Sequence, residues 1–144
     1  MNKYAEMKKR HQKDINNFPM FFAFSNKQFE EGMKKLGLKP TDTDKIYKLG
    51  YTGGFYRKSD SEKLREIFYK HNDEMDQAIA SDKDGTGFIY DMFLYELANH
   101  EYCITWDLEP TLEACGLTIH DLRANEALQK GLKKAKEEYM KNYE

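Results

Sequence analysis

Phe88-Ile89-Tyr90-Asp91-Met92-Phe93-Leu94-Tyr95-Glu96-Leu97-Ala98-Asn99 decides how this chain is read. The stretch holds two charged residues and neither glycine nor proline. Ile89, Met92, Phe93, Tyr95 and Leu97 point in nearly every direction around a helix, so the segment belongs at the centre of a helical core. Its neighbours carry the one-sided stripes of surface helices. Before it, Asp60 to Ala80 predicts a long helix with Leu64, Ile67, Phe68, His71, Met75 and Ile79 inward, opened by a Ser59/Glu62 capping box. After it, Tyr102 to Trp106 reads as extended. Leu108 to Cys115 then reads as a short helix capped by Asp107, with Pro110 in its first turn and Gly116 at its end. Thr118 with Asp121 opens another short turn, and Asn125 caps a last helix to about Asn142.

Further out, Tyr4, Met7, Lys8, His11 and Ile15 fall on one stripe of a helix over Asn2 to Ile15. Asn16-Asn17-Phe18-Pro19 ends it, because proline disfavours helix in the residue before it. Phe18 to Phe24 is a buried or docking segment whose type the pattern leaves open. Ser25, with Gln28 three residues on, starts a helix carrying Phe29, Met33 and Leu36 and stopped by Gly37. Residues 38–58 look irregular, with one helical turn over Asp44 to Leu49 and a small hairpin around Gly53-Gly54, where Tyr51, Phe55 and Tyr56 supply β-prone residues. The expected fold is mostly α: a compact single-domain helical fold over residues 1–144 with at most a small β-hairpin. The expected core is Phe29, Met33, Leu64, Phe68, Ile79, Ile89, Phe93, Leu97 and Leu112.

The 144 residues suit one domain, and 14% aromatics argue against disorder. Two cysteines make no disulfide framework. With no leader peptide read, the expected localisation is cytoplasmic. The apolar run Phe18 to Phe24 is far short of the roughly 20 residues of a membrane helix. Net charge is −2, but residues 60–126 hold 16 Asp/Glu against 5 Lys/Arg, while residues 1–59 hold 13 Lys/Arg against 6 Asp/Glu. An acidic block of this kind is either a solvated helix exterior or a surface that steers toward a basic partner.

Four motifs bear on chemistry. Asp82-Lys83-Asp84-Gly85-Thr86-Gly87-Phe88-Ile89 matches the first eight positions of a calcium-binding EF-hand loop. The twelfth position, where calcium needs a bidentate carboxylate, is Phe93, so a helix–helix corner is the favoured reading and calcium the alternative. His100, Cys103, Cys115 and His120 offer four soft ligands, but in an unusual order for zinc, and Cys115 falls where a small apolar residue belongs. Leu112 to Arg123 faintly resembles a helix-turn-helix, yet its second helix offers a single arginine where phosphates need several bases. Lys130, Lys133, Lys134, Lys136 and Lys141 form a stripe, read as solvated surface with RNA or protein contact as the alternative. No Gly-x-Ser-x-Gly and no P-loop is present. The expectation is a non-enzyme with no metal and no cofactor.

The strings Phe22-Ala23-Phe24-Ser25-Asn26-Lys27-Gln28-Phe29, Asp44-Lys45-Ile46-Tyr47 and Gly87 through Tyr102 resemble a largely uncharacterised family of short proteins encoded on phages, plasmids and other mobile elements of gut bacteria. The likeness spans residues 1 to about 130 and points to an anti-CRISPR protein, an inhibitor of Cas9, among the members. It brings no binding residues. It implies a helical interaction protein of a mobile element that inhibits a host nucleic-acid-targeting defence machine. The alternative is an accessory protein-binding module with no inhibitory role. The partner implied is a protein, with a Cas9–guide RNA complex as candidate. Nucleic acid would be met only indirectly, no membrane is involved, and the oligomeric state is open. Cas9 is basic where it holds guide and target, which an acidic protein could occupy.

On charge alone the candidate contact residues are Asp73, Glu74, Asp76, Glu101, Asp107, Glu109 and Glu113, where acids crowd loops and helix starts. The alternative surface is the hairpin's Tyr51, Phe55 and Tyr56.

Overall fold

The computed structural model describes residues 1–142. The chain is mostly helical with a small three-stranded antiparallel sheet. In order it forms α1 (Lys3–Asn16), β1 (Met20–Phe22), α2 (Asn26–Lys35), β2 (Ile46–Leu49), β3 (Gly54–Arg57), α3 (Ser61–Ser81), α4 (Phe88–Asn99), α5 (Tyr102–Thr105), α6 (Glu109–Ala114), α7 (Ile119–Ala124) and α8 (Glu126–Lys141). Two units are distinguished by their internal contacts: one gathers Met1–Arg10 and the chain from Asp73 onward, the other is His11–Asn72. The boundary between them falls inside α1 and α3.

In the first unit α4 is the central element, as its all-round apolar sequence requires. Ile89, Met92, Phe93 and Leu97 are fully buried, among Tyr4, Met7, Leu112, Leu128, Leu132, Ala135 and Tyr139. Glycines let α8 approach closely. A Cβ on Gly85, at φ +75°, would run into the Ala127 carbonyl oxygen, and one on Gly131 would stand 2.5 Å from Ile89 Cγ2. At Gly85 the corner therefore packs backbone to backbone against α8. Two helix starts follow their caps: Leu128 N–H donates to Asn125 Oδ1 (3.1 Å), and Thr118 and Asp121 bond reciprocally. Asp107 does not cap α6, whose N-cap is Leu108; it lies one residue earlier and accepts the Glu109 N–H (3.0 Å).

In the second unit the sheet order is β1-β3-β2. Phe21, Phe55 and Ile46 on one face pack with Phe29, Met33 and Leu36 of α2. Ser25 Oγ accepts the Gln28 N–H (3.2 Å), while the Gln28 side chain reaches back to the Phe24 N–H (2.7 Å).

Four expectations are corrected. The helical turn expected over Asp44 to Leu49 is confined to a 3₁₀ turn at Thr43–Lys45: Ile46–Leu49 pairs with β3, and Met20–Phe22 adds a third strand, so the hairpin lies slightly earlier than read and is extended into a sheet. Tyr102 to Trp106 is not extended but a helical turn bracketed by left-handed residues, Glu101 at φ 52° and Trp106 at φ 54°. Ser59 does not cap α3. The chain enters through a 3₁₀ turn, Lys58–Asp60, where Arg57 Nε holds the Asp60 carboxylate at 2.7 Å, and the helix opens at Ser61. Phe68 is 40% exposed because it borders an open cleft rather than the closed core.

Candidate functional site

The chemistry-bearing side chains of the first unit divide into a buried group and an exposed one. The buried group centres on Glu96, whose side chain is fully enclosed in the last turn of α4. Lys8 Nζ lies 3.5 Å from its Oε1, and His100 Nε2, one helical turn on, lies 3.7 Å from its Oε2. Among the described residues, neither Glu96 Oε2 nor His100 Nε2 has a hydrogen-bond partner. Burial, and then the negative charge of Glu96, push the Tyr4 hydroxyl far above its ordinary value. The same two causes, in the same order, raise the Cys115 thiol from 9.0 to about 12, with Lys8 opposing. A thiol held protonated is a poor nucleophile. The arrangement is a charge cluster inside an apolar core, tying α1 to α4.

His100 faces Glu96, Cys115 is buried in the core, and His120 is exposed. Among the described residues, no group of three or more His, Cys, Asp and Glu side chains is placed to hold a metal ion. At the corner, Asp82 Oδ2 accepts the N–H groups of Gly87 (3.1 Å) and Ile89 (2.9 Å), which is the work of a turn aspartate. Of the lysine stripe, Lys134 lies over the Tyr90 ring (5.1 Å) and Lys136 over Tyr102 (5.3 Å).

The seven acids chosen on charge fall on two stretches. Asp73, Glu74 and Asp76 belong to α3. There Glu74 is bound by Arg10, and Asp73 accepts the Gln77 amide (2.8 Å). Asp76 is exposed and lines a groove of about 440 Å³ with Asp121 and Gly116. Glu101, Asp107, Glu109 and Glu113 surround α5 and α6, and all four are exposed. The basic N-terminus thus covers Glu74 and Glu96, while among the described residues no lysine or arginine forms an ion pair with these four. Residues 84–122 contain no lysine or arginine at all.

At the centre of this acidic stretch stand two residues that charge counting passed over. Ile104 is 71% exposed and Trp106 is 66% exposed. Both are projected by the tight turn between Glu101 and Trp106. Two left-handed non-glycine residues within six positions are uncommon and carry a cost. The signal was available in the sequence as the chain's one tryptophan, set directly before Asp107. The buried Glu96/His100 pair was also passed over; its signal was a lone Glu with His four residues on, in an otherwise apolar helix.

A family model, described as a family of unknown function (DUF7659), matches residues 3–138. The chain belongs to that family. No curated protein and no solved structure matches it. Among the described residues, no helix of this DUF7659 member is long and apolar enough to cross a membrane.

Proposed function

We propose that the chain is a non-catalytic interaction protein that inhibits a nucleic-acid-targeting machine, with Cas9 and its guide RNA as the partner complex. The observation that carries this reading is the exposed pair Ile104 and Trp106 set among four exposed carboxylates, Glu101, Asp107, Glu109 and Glu113. A tryptophan supplies the desolvated anchor on which interface energy concentrates. The surrounding acids supply attraction to a basic channel and penalise acidic competitors. Cas9 is named because the strings around Phe22–Phe29 and Gly87–Tyr102 resemble the mobile-element family described above, and because its guide and target channel is basic. The Cys115 thiol, held protonated by burial, is no candidate nucleophile.

Purified protein titrated into a Cas9–guide RNA cleavage reaction tests this. Stoichiometric loss of DNA cutting is expected, and Trp106→Ala should weaken it at least tenfold. Undiminished cutting at a large molar excess would remove Cas9 and leave an accessory binding module of the same surface.

A further inference from the structure

The second unit presents a different surface, with the opposite charge. Opposed residues across the sheet share a face, so the rows Phe22–Gly54–Leu49 and Met20–Tyr56–Tyr47 lie on the side away from α2. Exposed aromatics crowd that side and the turn beside it. Phe22 is 53% exposed, Phe24 78% and Tyr47 45%, and Tyr69 of α3 is 69% exposed.

Glycines seat two of these rings. A Cβ on Gly54 would stand 3.1 Å from Phe22 Cε1, and one on Gly53, at φ +77°, would stand 2.6 Å from Phe24 Cε1. Each ring rests against bare backbone and leaves its remaining surface to solvent. Beside them, Leu49, Tyr56, Leu64, Phe68, Tyr69 and Arg65 line a cleft of about 330 Å³. Arg65 is the cleft's one charged lining residue. Lys58 Nζ sits 5.0 Å over the Tyr47 ring. His11–Asn72 as a whole carries twelve Lys/Arg against eight Asp/Glu. Three of those acids are already engaged: Asp14 by His71 (2.9 Å), Asp42 by Lys45 (3.8 Å) and Asp60 by Arg57 (2.7 Å).

We propose that this face binds single-stranded nucleic acid, with bases stacked on Phe22, Phe24 and Tyr69 and phosphates met by Arg65 and Lys58. Open rings interleaved with cations, on a unit of net positive charge, are what such strands recognise: every base offers a π-face and every nucleotide a phosphate. A purely apolar protein partner would have no use for the uncompensated bases.

The test is fluorescence anisotropy with the full chain and three labelled probes: a 12-nucleotide oligo-U RNA, oligo-dT, and a blunt DNA duplex. Both single strands should bind saturably, the duplex at least tenfold more weakly, and affinity should fall with rising salt. Phe24→Ala and Tyr69→Ala should each cost about tenfold. Both side chains are exposed, so circular dichroism should be unchanged. Arg65→Gln should flatten the salt dependence, because one phosphate contact is lost. The control Trp106→Ala should leave oligonucleotide binding intact. Any of three results overturns the proposal: no saturable binding to either strand; equal binding to duplex with both aromatic variants unaffected; or no oligonucleotide binding while Phe24→Ala abolishes capture by a protein partner, which would assign the face to protein.

Discussion

Two cysteines with different surroundings report on the core at the level of single residues. Cys115 is 4% exposed and its thiol is pushed to about 12 by burial and by Glu96, whereas Cys103 is half-buried. The unfolded chain ionises Cys115 near 9.0, its ordinary value. Between that pH and about 12 the unfolded state therefore holds fewer protons than the folded one, and stability must fall as pH rises. The contribution is intact below pH 9 and is lost above it. Denaturant melts at pH 8 and pH 10.5 should show this loss, and Cys115→Ala should reduce it. At pH 8 an alkylating reagent should label Cys103 first and Cys115 only when the chain unfolds. Labelling of both at one rate would show the Cys115 environment to be wrong. Cys115 was legible from sequence as a small apolar residue at the end of a short helix. Its dependence on Glu96 was not, because the two are 19 positions apart and meet only through packing of α6 on α4.

Helices were legible as elements because their ends are written locally. Ser25, Thr118 and Asn125 each bond a backbone N–H three residues on, and α4 begins and ends where its apolar run does. Among the strands, β3 was legible in the hairpin read around Gly53-Gly54, but β1 was not, since it has three residues and its partner β3 lies more than thirty positions away. Nothing in Met20-Phe21-Phe22 alone distinguishes a paired strand from a buried turn. Ile46–Leu49 read as helical for the same reason: four residues carry too little periodicity to decide. The corner between α3 and α4 was read correctly as a turn, and its glycines prove to serve packing on α8 as well as turn geometry. Asp82 holds two backbone N–H groups, so Asp82→Ala should cost about 1–3 kcal/mol by leaving them unsatisfied. Millimolar calcium should leave the melting temperature of the wild-type protein unchanged. A calcium-dependent rise that Asp82→Ala removes would restore the ion-binding reading. For the candidate surface, residue choice from charge alone included Glu101, Asp107, Glu109 and Glu113, which are exposed and, among the described residues, form no ion pair with a lysine or arginine. It also included Glu74, which Arg10 occupies. It missed Ile104 and Trp106 because an extended reading of Tyr102 to Trp106 gave no reason to expect them at the surface.

Over the whole molecule the charge asymmetry persists in the folded units. The unit holding α4 to α8 carries the acids around α5 and α6; His11–Asn72 carries an excess of bases beside its exposed aromatics. Long-range charge acts chiefly on encounter, and is screened beyond about 10 Å at 0.1 M salt. A buried anchor acts on dissociation instead. The two contributions at the Trp106 surface are therefore separable in one experiment: association and dissociation rates with a Cas9–guide RNA complex, measured between low and physiological salt, for the wild-type chain, Trp106→Ala and a Glu109→Lys/Glu113→Lys double variant. The charge reversals should slow association several-fold and flatten its salt dependence. Trp106→Ala should speed dissociation at least tenfold with association nearly unchanged, and the melting temperatures of all three proteins should agree within a few degrees. Wild-type rates retained by both variants, with binding intact, would contradict the assignment of this face as the contact surface.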